Sequence, residues 1–277
     1  MSIKFMYITN KPHVAQIAEA NGVDRIFVDL EHIGKSDRQG GMDTVQSFWS
    51  VEDVKNIRGA INKAELLVRC NPIHSATKEY CSSKDEVNAI IDAGADIIML
   101  PYFKTVDEVK TFIELVDGRA KTMPLIETPE AVEKIDEILE LSGIDEIYVG
   151  LNDLSLGYKM KFMFQPLADG TVDRLAEKFK AKGIPFGFGG VASLGHGTVH
   201  AEMVIREHYR IGSTCAILSR SFCNADKVND INRINTLFVN GMKEIRSFEK
   251  SCEDDSSCFE QNRKDLIAAV NKIVSEK

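Results

Sequence analysis

Eight short apolar runs, each followed by a longer amphipathic stretch, constrain this chain more than any other feature. The runs occupy residues 5–9, 25–29, 66–69, 97–100, 123–126, 147–150, 184–187 and 215–218. Short, largely apolar segments rich in β-branched residues suit parallel strands covered on both faces. Helical spacing fits residues 13–20, 51–61, 84–92, 106–116, 129–141, 172–182 and 201–209, and two further helical stretches, 227–250 and 261–274, follow the last run. Strict alternation of strand and helix predicts an α/β fold, a single-domain (β/α)8 TIM barrel with extra C-terminal helices. The length of 277 residues fits one such barrel, which typically takes about 250. An open Rossmann-like sheet is the competing arrangement, but no GxGxxG loop follows the first run.

Residues 1–225 are therefore expected to form the barrel core, interrupted by an insertion at 34–50, with C-terminal helices over 226–277. Local chemistry marks several boundaries. Asn21-Gly22 and Ala93-Gly94 fit helix C-termini, and Thr128-Pro129-Glu130 reads as an N-cap, a first-turn proline and an acidic first turn. The insertion, GKSDRQGGMDTVQSFWS, is long and polar for a βα loop and carries Trp49, the sole tryptophan. On a barrel this position makes it a lid or specificity loop, or else a surface decoration.

Composition narrows the function. A net charge of −8 with no basic face excludes a nucleic-acid role. No run approaches the roughly 18–20 apolar residues of a membrane span, and the N-terminus lacks the pattern of a secretory signal. Six scattered cysteines form no CxxC pair, which fits a cytoplasmic protein with reduced thiols.

Charged residues gather where strands end. Asp29, Glu31 and His32 close the second run, Arg69 the third, Glu127 the fifth, and Asp153 lies just past the sixth. In a barrel these ends converge on one mouth. Glu127 and Asp153 form half a cage for a hard divalent cation, Mg2+ or Mn2+, or Co2+, whose remaining positions go to water and substrate oxygens. A chelating 2-oxo acid would supply such oxygens, and the cation would stabilise an enolate as Lewis acid. Arg69 would add positive charge beside the enolate oxygen, and His32 would move a proton. Structural readings stand beside these: a Glu127–Arg69 ion pair, Asp153 as a helix cap, and His32 as a hydrogen-bonded core residue.

The segments Asp-Leu-Glu-His32, Val-Arg69, Asp92-Ala-Gly-Ala-Asp, Leu-Ile-Glu127-Thr-Pro-Glu-Ala and Val-Gly150-Leu-Asn-Asp153-Leu-Ser resemble the metal-dependent class II pyruvate aldolases. That family is grouped with the citrate lyase β-subunit in the phosphoenolpyruvate/pyruvate superfamily, and the resemblance runs from about residue 24 to 222. It implies that Glu127 and Asp153 bind the metal and that Arg69 contacts the pyruvyl keto oxygen. It further implies proton transfer by His32 oriented by Asp92, and a substrate carboxylate held at Leu151, Asn152 and Asp153. The implied reaction is aldol cleavage or condensation of a 4-hydroxy-2-oxo acid to pyruvate, or a similar 2-oxo acid, and an aldehyde. A homo-oligomer exchanging its C-terminal helices is implied as well.

Leu125 departs from the family, which often has glutamine there to support a metal-bound water. The insertion suggests a second substrate of its own, read by Lys35, Arg38 and Gln39. A glycine-rich segment at 185–195 is a phosphate or carboxylate cradle or a packing turn, and Ser219-Arg220-Ser221-Phe222 would bring a cation to the mouth. His196, His200 and His208 receive no assignment. Alternatives to an aldolase are a citrate-lyase-like enzyme acting on a CoA thioester and a non-catalytic metabolite-binding barrel.

Overall fold

The computed structural model describes residues 2–35, 49–228 and 230–277. Eight parallel strands follow one another in chain order: β1 (Lys4–Ile8), β2 (Arg25–Asp29), β3 (Glu65–Arg69), β4 (Ile97–Leu100), β5 (Lys121–Ile126), β6 (Ile147–Val149), β7 (Phe186–Val191) and β8 (Cys215–Leu218). Pairing of β1 with β8 closes the barrel. The expected (β/α)8 architecture is the observed one, and the β1–β8 ladder excludes an open sheet.

Period two sorts each strand between an outer and an inner face. In β2, Ile26 and Val28 pack outward under the helices, while Phe27 joins an inner cluster with Met6, Leu67, Met99, Met123, Leu125 and Tyr148. Two residues either way along the same face lie Arg25 and Asp29. β3 repeats the pattern with Glu65, Leu67 and Arg69, and register places Arg25 opposite Glu65 and Asp29 opposite Arg69. The interior is thus layered: charges below, an apolar middle, charges at the mouth.

The lower layer is a structural plug. Fully buried Arg25 donates from Nε to Glu65 at 2.8 Å and makes a two-bond contact with Glu146 at 2.8 and 2.6 Å. Lys121 reaches Glu65 at 2.6 Å. Burial opposes ionisation of Glu65, but hydrogen bonds from Lys121 and Arg25 bring its carboxyl down to about 2.

Around the barrel run α1 (Pro12–Ala20), α2 (Val51–Ala60), α3 (Ser83–Asp92), α4 (Val106–Val116), α5 (Pro129–Glu133), α6 (Ile135–Ile138), α7 (Leu151–Gly157), α8 (Gln165–Ala168), α9 (Thr171–Ala181) and α10 (Ala201–Ile211). Thr128 caps α5 by accepting from the Ala131 N–H, as its sequence signal predicts. Gly22 and Gly94 take φ of 84° and 93° after α1 and α3. The helix expected over 129–141 is divided into α5 and α6 at Lys134, which leaves helical geometry with φ −96° and ψ 11°.

The glycine-rich segment is neither the expected cradle nor a turn over most of its length. Rather than a loop after β7, residues 186–191 are β7 itself. Tyr148 of β6 explains the glycines: its hydroxyl donates to the Gly189 carbonyl and accepts from the Ile217 N–H, where the β7–β8 register shifts. A Cβ on Gly187 would lie 2.3 Å from the Cys215 carbonyl oxygen and 2.8 Å from the Tyr148 ring.

Two last helices, α11 (Ile231–Asp254) and α12 (Phe259–Ser275), lie against their own barrel. α11 packs on α1 and α10, and α12 on α10 and α8. Asn262 and Arg263 fasten α12 through Glu207 and the Leu167 carbonyl. All six cysteines are free thiols. Of the 34–50 insertion, residues 36–48 lie outside the described residues, and with them Arg38 and Gln39.

Candidate active site

Asp29 and Arg69 are neighbours on adjacent strands, so their side chains enter the mouth side by side. The Arg69 guanidinium grips Asp29 through Nε at 2.8 Å and Nη2 at 2.6 Å, and its Nη1 lies 3.3 Å from Glu31. Lys35 completes the group, with Nζ 2.6 Å from Asp29 and 3.8 Å from Glu31. Burial disfavours the Asp29 carboxylate, yet the flanking Arg69 and Lys35 charges hold its pKa well below the usual range. Lys35, expected to read a second substrate, is instead paired with Asp29 and buried to 5% exposure.

Glu127 follows β5, and Asp153 sits in the first turn of α7 directly after β6. Both are buried, and Asp153 accepts from the Asn152 side chain at 3.1 Å. The Tyr102 N–H donates to Glu127 at 2.9 Å. Tyr102 itself takes a left-handed φ of 47°, a costly conformation for a residue with a Cβ. Burial pushes the Glu127 carboxyl well above its ordinary range, and the charges of Glu31 and Asp153 push it further against partial relief from Arg69.

Gly150 makes this arrangement possible. A Cβ there would stand 2.8 Å from Glu127 Oε2 and 2.9 Å from Glu127 Cβ. In the sequence Gly150 stands only as a strand-end residue of a resembling segment; its place two residues beyond Tyr148, on the same inner face, is the signal that marks its role.

Arg69, Glu127 and Asp153 line one chamber together with Gly150, Leu151 and Asn152. Phe27, Met99, Leu125 and Tyr148 supply an apolar floor. Leu125, where a glutamine is usual among the aldolases the sequence resembles, therefore contributes hydrocarbon beneath Glu127. The chamber continues in two directions. Toward β1 and β8 it shares Arg69, Ile217 and Ser219 with a second cavity. Toward α5 it shares Glu127 and Asp153 with a third.

The remaining two expected residues do not join this group. His32 follows Glu31, but its ring packs against Tyr80 with centroids 5.7 Å apart, and its backbone N–H is held by Asn71 at 2.9 Å. Its Nδ1 is buried and makes no hydrogen bond among the described residues. Asp92 is exposed at the C-terminal end of α3, ahead of the start of β4 and so at the barrel end opposite the mouth. Within the chain it does not orient His32, because an α-helix in a βα unit runs back to the foot of the next strand. His32 is tied instead to Glu86 through Asn71, whose side-chain nitrogen donates to Glu86 at 2.8 Å while its oxygen takes the His32 N–H.

Residues 4–185 match the model of the HpcH/HpaI aldolase/citrate lyase family. The chain belongs to that family. It is accordingly a carbon–carbon lyase. Among curated proteins it is 21% identical over 207 residues to the hydroxypyruvate/pyruvate aldolase of Sagittula stellata, covering 63% of this chain and 72% of that protein. It is likewise 21% identical over 212 residues to a 2-keto-3-deoxy-L-rhamnonate aldolase of Escherichia coli, covering 65% and 71%. Solved structures share the fold. A HpcH/HpaI aldolase/citrate lyase family protein from Burkholderia cenocepacia superposes with TM-score 0.62 at 15% identity, over 84% of this chain and 95% of that one. An HpcH/HpaI aldolase from Desulfitobacterium hafniense gives 0.58 at 19%, over 88% and 93%.

The carboxylate pair is suited to the divalent metal on which the family generally depends. Glu31, Glu127 and Asp153 concentrate buried negative charge in one place, a setting that a cation relieves. Among the described residues no three His, Cys, Asp or Glu side chains form a metal cage. Two carboxylates with water and substrate oxygens match the habit of magnesium or manganese.

Proposed function

We propose that this lyase cleaves or forms 4-hydroxy-2-oxo acids, interconverting them with pyruvate, or a similar 2-oxo acid, and an aldehyde. The observation that carries the reading is the shared chamber of Glu127, Asp153 and Arg69 over an apolar floor. Glu127 and Asp153 would hold a divalent metal, which when bound supplies Lewis acidity at the keto oxygen.

Arg69, fixed by Asp29 and Glu31, presents its remaining positive field to charge growing on that oxygen. Because its position is set before substrate arrives, little reorganisation accompanies the reaction. Leu151, Asn152 and Asp153 border the place of the substrate carboxylate. In cleavage, a base takes the proton from the C4 hydroxyl and the C3–C4 bond breaks. The bonding pair passes to C3, giving the pyruvate enolate, while C4 leaves as the aldehyde carbonyl; a proton added at C3 completes pyruvate. We assign the proton transfer at the C4 oxygen to His32, which would turn its ring from Tyr80 toward the chamber to reach it and whose Nδ1 makes no hydrogen bond among the described residues. The Phe27, Met99, Leu125 and Tyr148 floor keeps water from the enolate side.

Oxaloacetate decarboxylation tests this reading without knowledge of the aldehyde, since it forms the same enolate. Turnover is expected with magnesium, manganese or cobalt, to be abolished by a chelator, and to fall at least a hundredfold, roughly the loss typical of one electrostatic contact, in Glu127→Gln and Asp153→Ala. Equal turnover in wild type and variants, or no turnover with any of the three metals, refutes it.

A further inference from the structure

His32 is held differently at its backbone and at its ring. The Asn71 side-chain oxygen accepts from the His32 and Ile33 N–H groups, both at 2.9 Å. The ring rests on Tyr80 at an interplanar angle of 30°, and its buried Nδ1 makes no hydrogen bond among the described residues. A pinned backbone beneath such a ring lets the side chain turn about its own torsions while its Cα stays in place.

The strand before Asn71 puts it there. Asn71 stands two residues beyond Arg69, and between them the Cys70 N–H continues the ladder to the Met99 carbonyl at 3.1 Å. Side chains two apart share one face of an extended segment. Arg69 therefore reaches Asp29, and Asn71 reaches the backbone three residues further on, at His32. One short segment after β3 thus sets the arginine and the histidine relative to each other.

Asn71 is itself buried and braced from the first turn of α3. Glu86 Oε1 accepts from the Asn71 side-chain nitrogen at 2.8 Å and from its N–H at 3.1 Å. These bonds fix which way round the amide stands, nitrogen toward Glu86 and oxygen toward His32. Turned over, it would set its NH2 against two N–H donors and its oxygen against a carboxylate. The other oxygen of Glu86, Oε2, is buried and makes no hydrogen bond among the described residues. Glu86 therefore serves Asn71 as an acceptor through Oε1, which an amide oxygen can replace.

Resting on the aldolase reading above, we infer that Asn71, braced by Glu86, is the positioning residue for His32, fixing the histidine backbone so that the ring alone turns toward the C4 oxygen. The loop that carries His32 then needs no movement of its own during turnover. Proton transfer at C4 depends on this hold, and formation of the enolate at the metal does not.

The test compares two reactions that share the enolate. Cleavage of 4-hydroxy-2-oxopentanoate or 4-hydroxy-2-oxoglutarate requires a proton to leave the C4 oxygen. Decarboxylation of oxaloacetate, in which C4 departs as carbon dioxide, requires none there. Asn71→Ala should lower the ratio of cleavage to decarboxylation by about tenfold to a hundredfold, the loss that a misplacement of about 1 Å brings. In a His32→Ala background the same substitution should lower it less than about twofold further, because two residues acting through one group are not additive. Glu86→Ala should follow Asn71→Ala, and Glu86→Gln should restore the ratio to within about threefold of wild type, its amide oxygen still accepting from Asn71. Should Asn71→Ala not fold, the two Glu86 variants carry the same comparison. An equal fall of both reactions in folded variants, an undiminished effect in the His32→Ala background, or no rescue by Glu86→Gln overturns the inference. Wild type without oxaloacetate turnover fails the aldolase reading instead. Wild type with that turnover but no cleavage of either hydroxy acid overturns the role of His32, and this inference with it.

Discussion

His208 gives the chain a defined weakness to acid. It lies in α10, fully buried, its ring stacked on Phe188 at a centroid distance of 3.8 Å and a tilt of 9°. Nδ1 is 2.8 Å from the Ser213 hydroxyl, while Nε2 is buried with no hydrogen-bond partner among the described residues. Protonation would place an imidazolium in a fully desolvated position, and burial accordingly lowers the pKa from 6.5 to about 3. The folded state therefore binds its proton about 3.5 pH units later than the unfolded state, the difference between those two values. Stability from this group is complete above pH 6.5 and declines as the pH falls toward 3.

At pH 5.5 the expected loss is about 1.4 kcal/mol, and at pH 4.5 about 2.7 kcal/mol, from about 1.36 kcal/mol per pH unit below the unfolded pKa. Carboxylates such as Asp29 and Glu65 lose their own contributions at lower pH, so the assay compares wild type with His208→Phe, which keeps a ring on Phe188. Urea unfolding at pH 7.0, 5.5 and 4.5 should show the wild type losing stability faster by those amounts. Parallel pH dependence of the two proteins would refute the argument, because it would mean that His208 ionises in the native state as readily as in the unfolded one.

Gly150→Ala should cost at least tenfold in metal-dependent turnover, and weaken metal binding measured by titration calorimetry, because the new Cβ displaces the Glu127 carboxylate from 2.8 Å away; unchanged metal affinity would show that Glu127 does not need this space. Asp29→Asn should destabilise the fold by about 3–5 kcal/mol in urea unfolding, the scale of breaking a buried ion pair from one side, since Arg69 and Lys35 both lose their nearer anion and keep only the longer contacts with Glu31. A change below about 1 kcal/mol, the worth of a surface pair, would mean that Glu31 alone suffices to hold both cations.

Much of the architecture was legible because it depends on short-range pattern. Strands β2, β4 and β8 have the bounds that their apolar runs predict, and the caps at Thr128, Gly22 and Gly94 follow from side-chain chemistry that acts over three or four residues. The segment at 185–195 was misplaced for a physical reason of the opposite kind. Its glycines look like a loop until Tyr148, nearly forty residues earlier, is known to lie across them and bond to Gly189 and Ile217. The resemblance groups Asp92 with His32; only the direction of α3 shows that the two sit at opposite ends of the barrel.

Sequence by itself determined the alternation of strand and helix, the burial of the strands on both faces, and the presence of ionisable residues at their ends, since each is a property of neighbours along the chain. Tertiary structure decided which of those charges meet. Arg25 with Glu146, and Arg69 with Asp29 rather than Glu127, are choices made by strand register and barrel closure. Those depend on all eight strands at once, and no local window of the chain contains them.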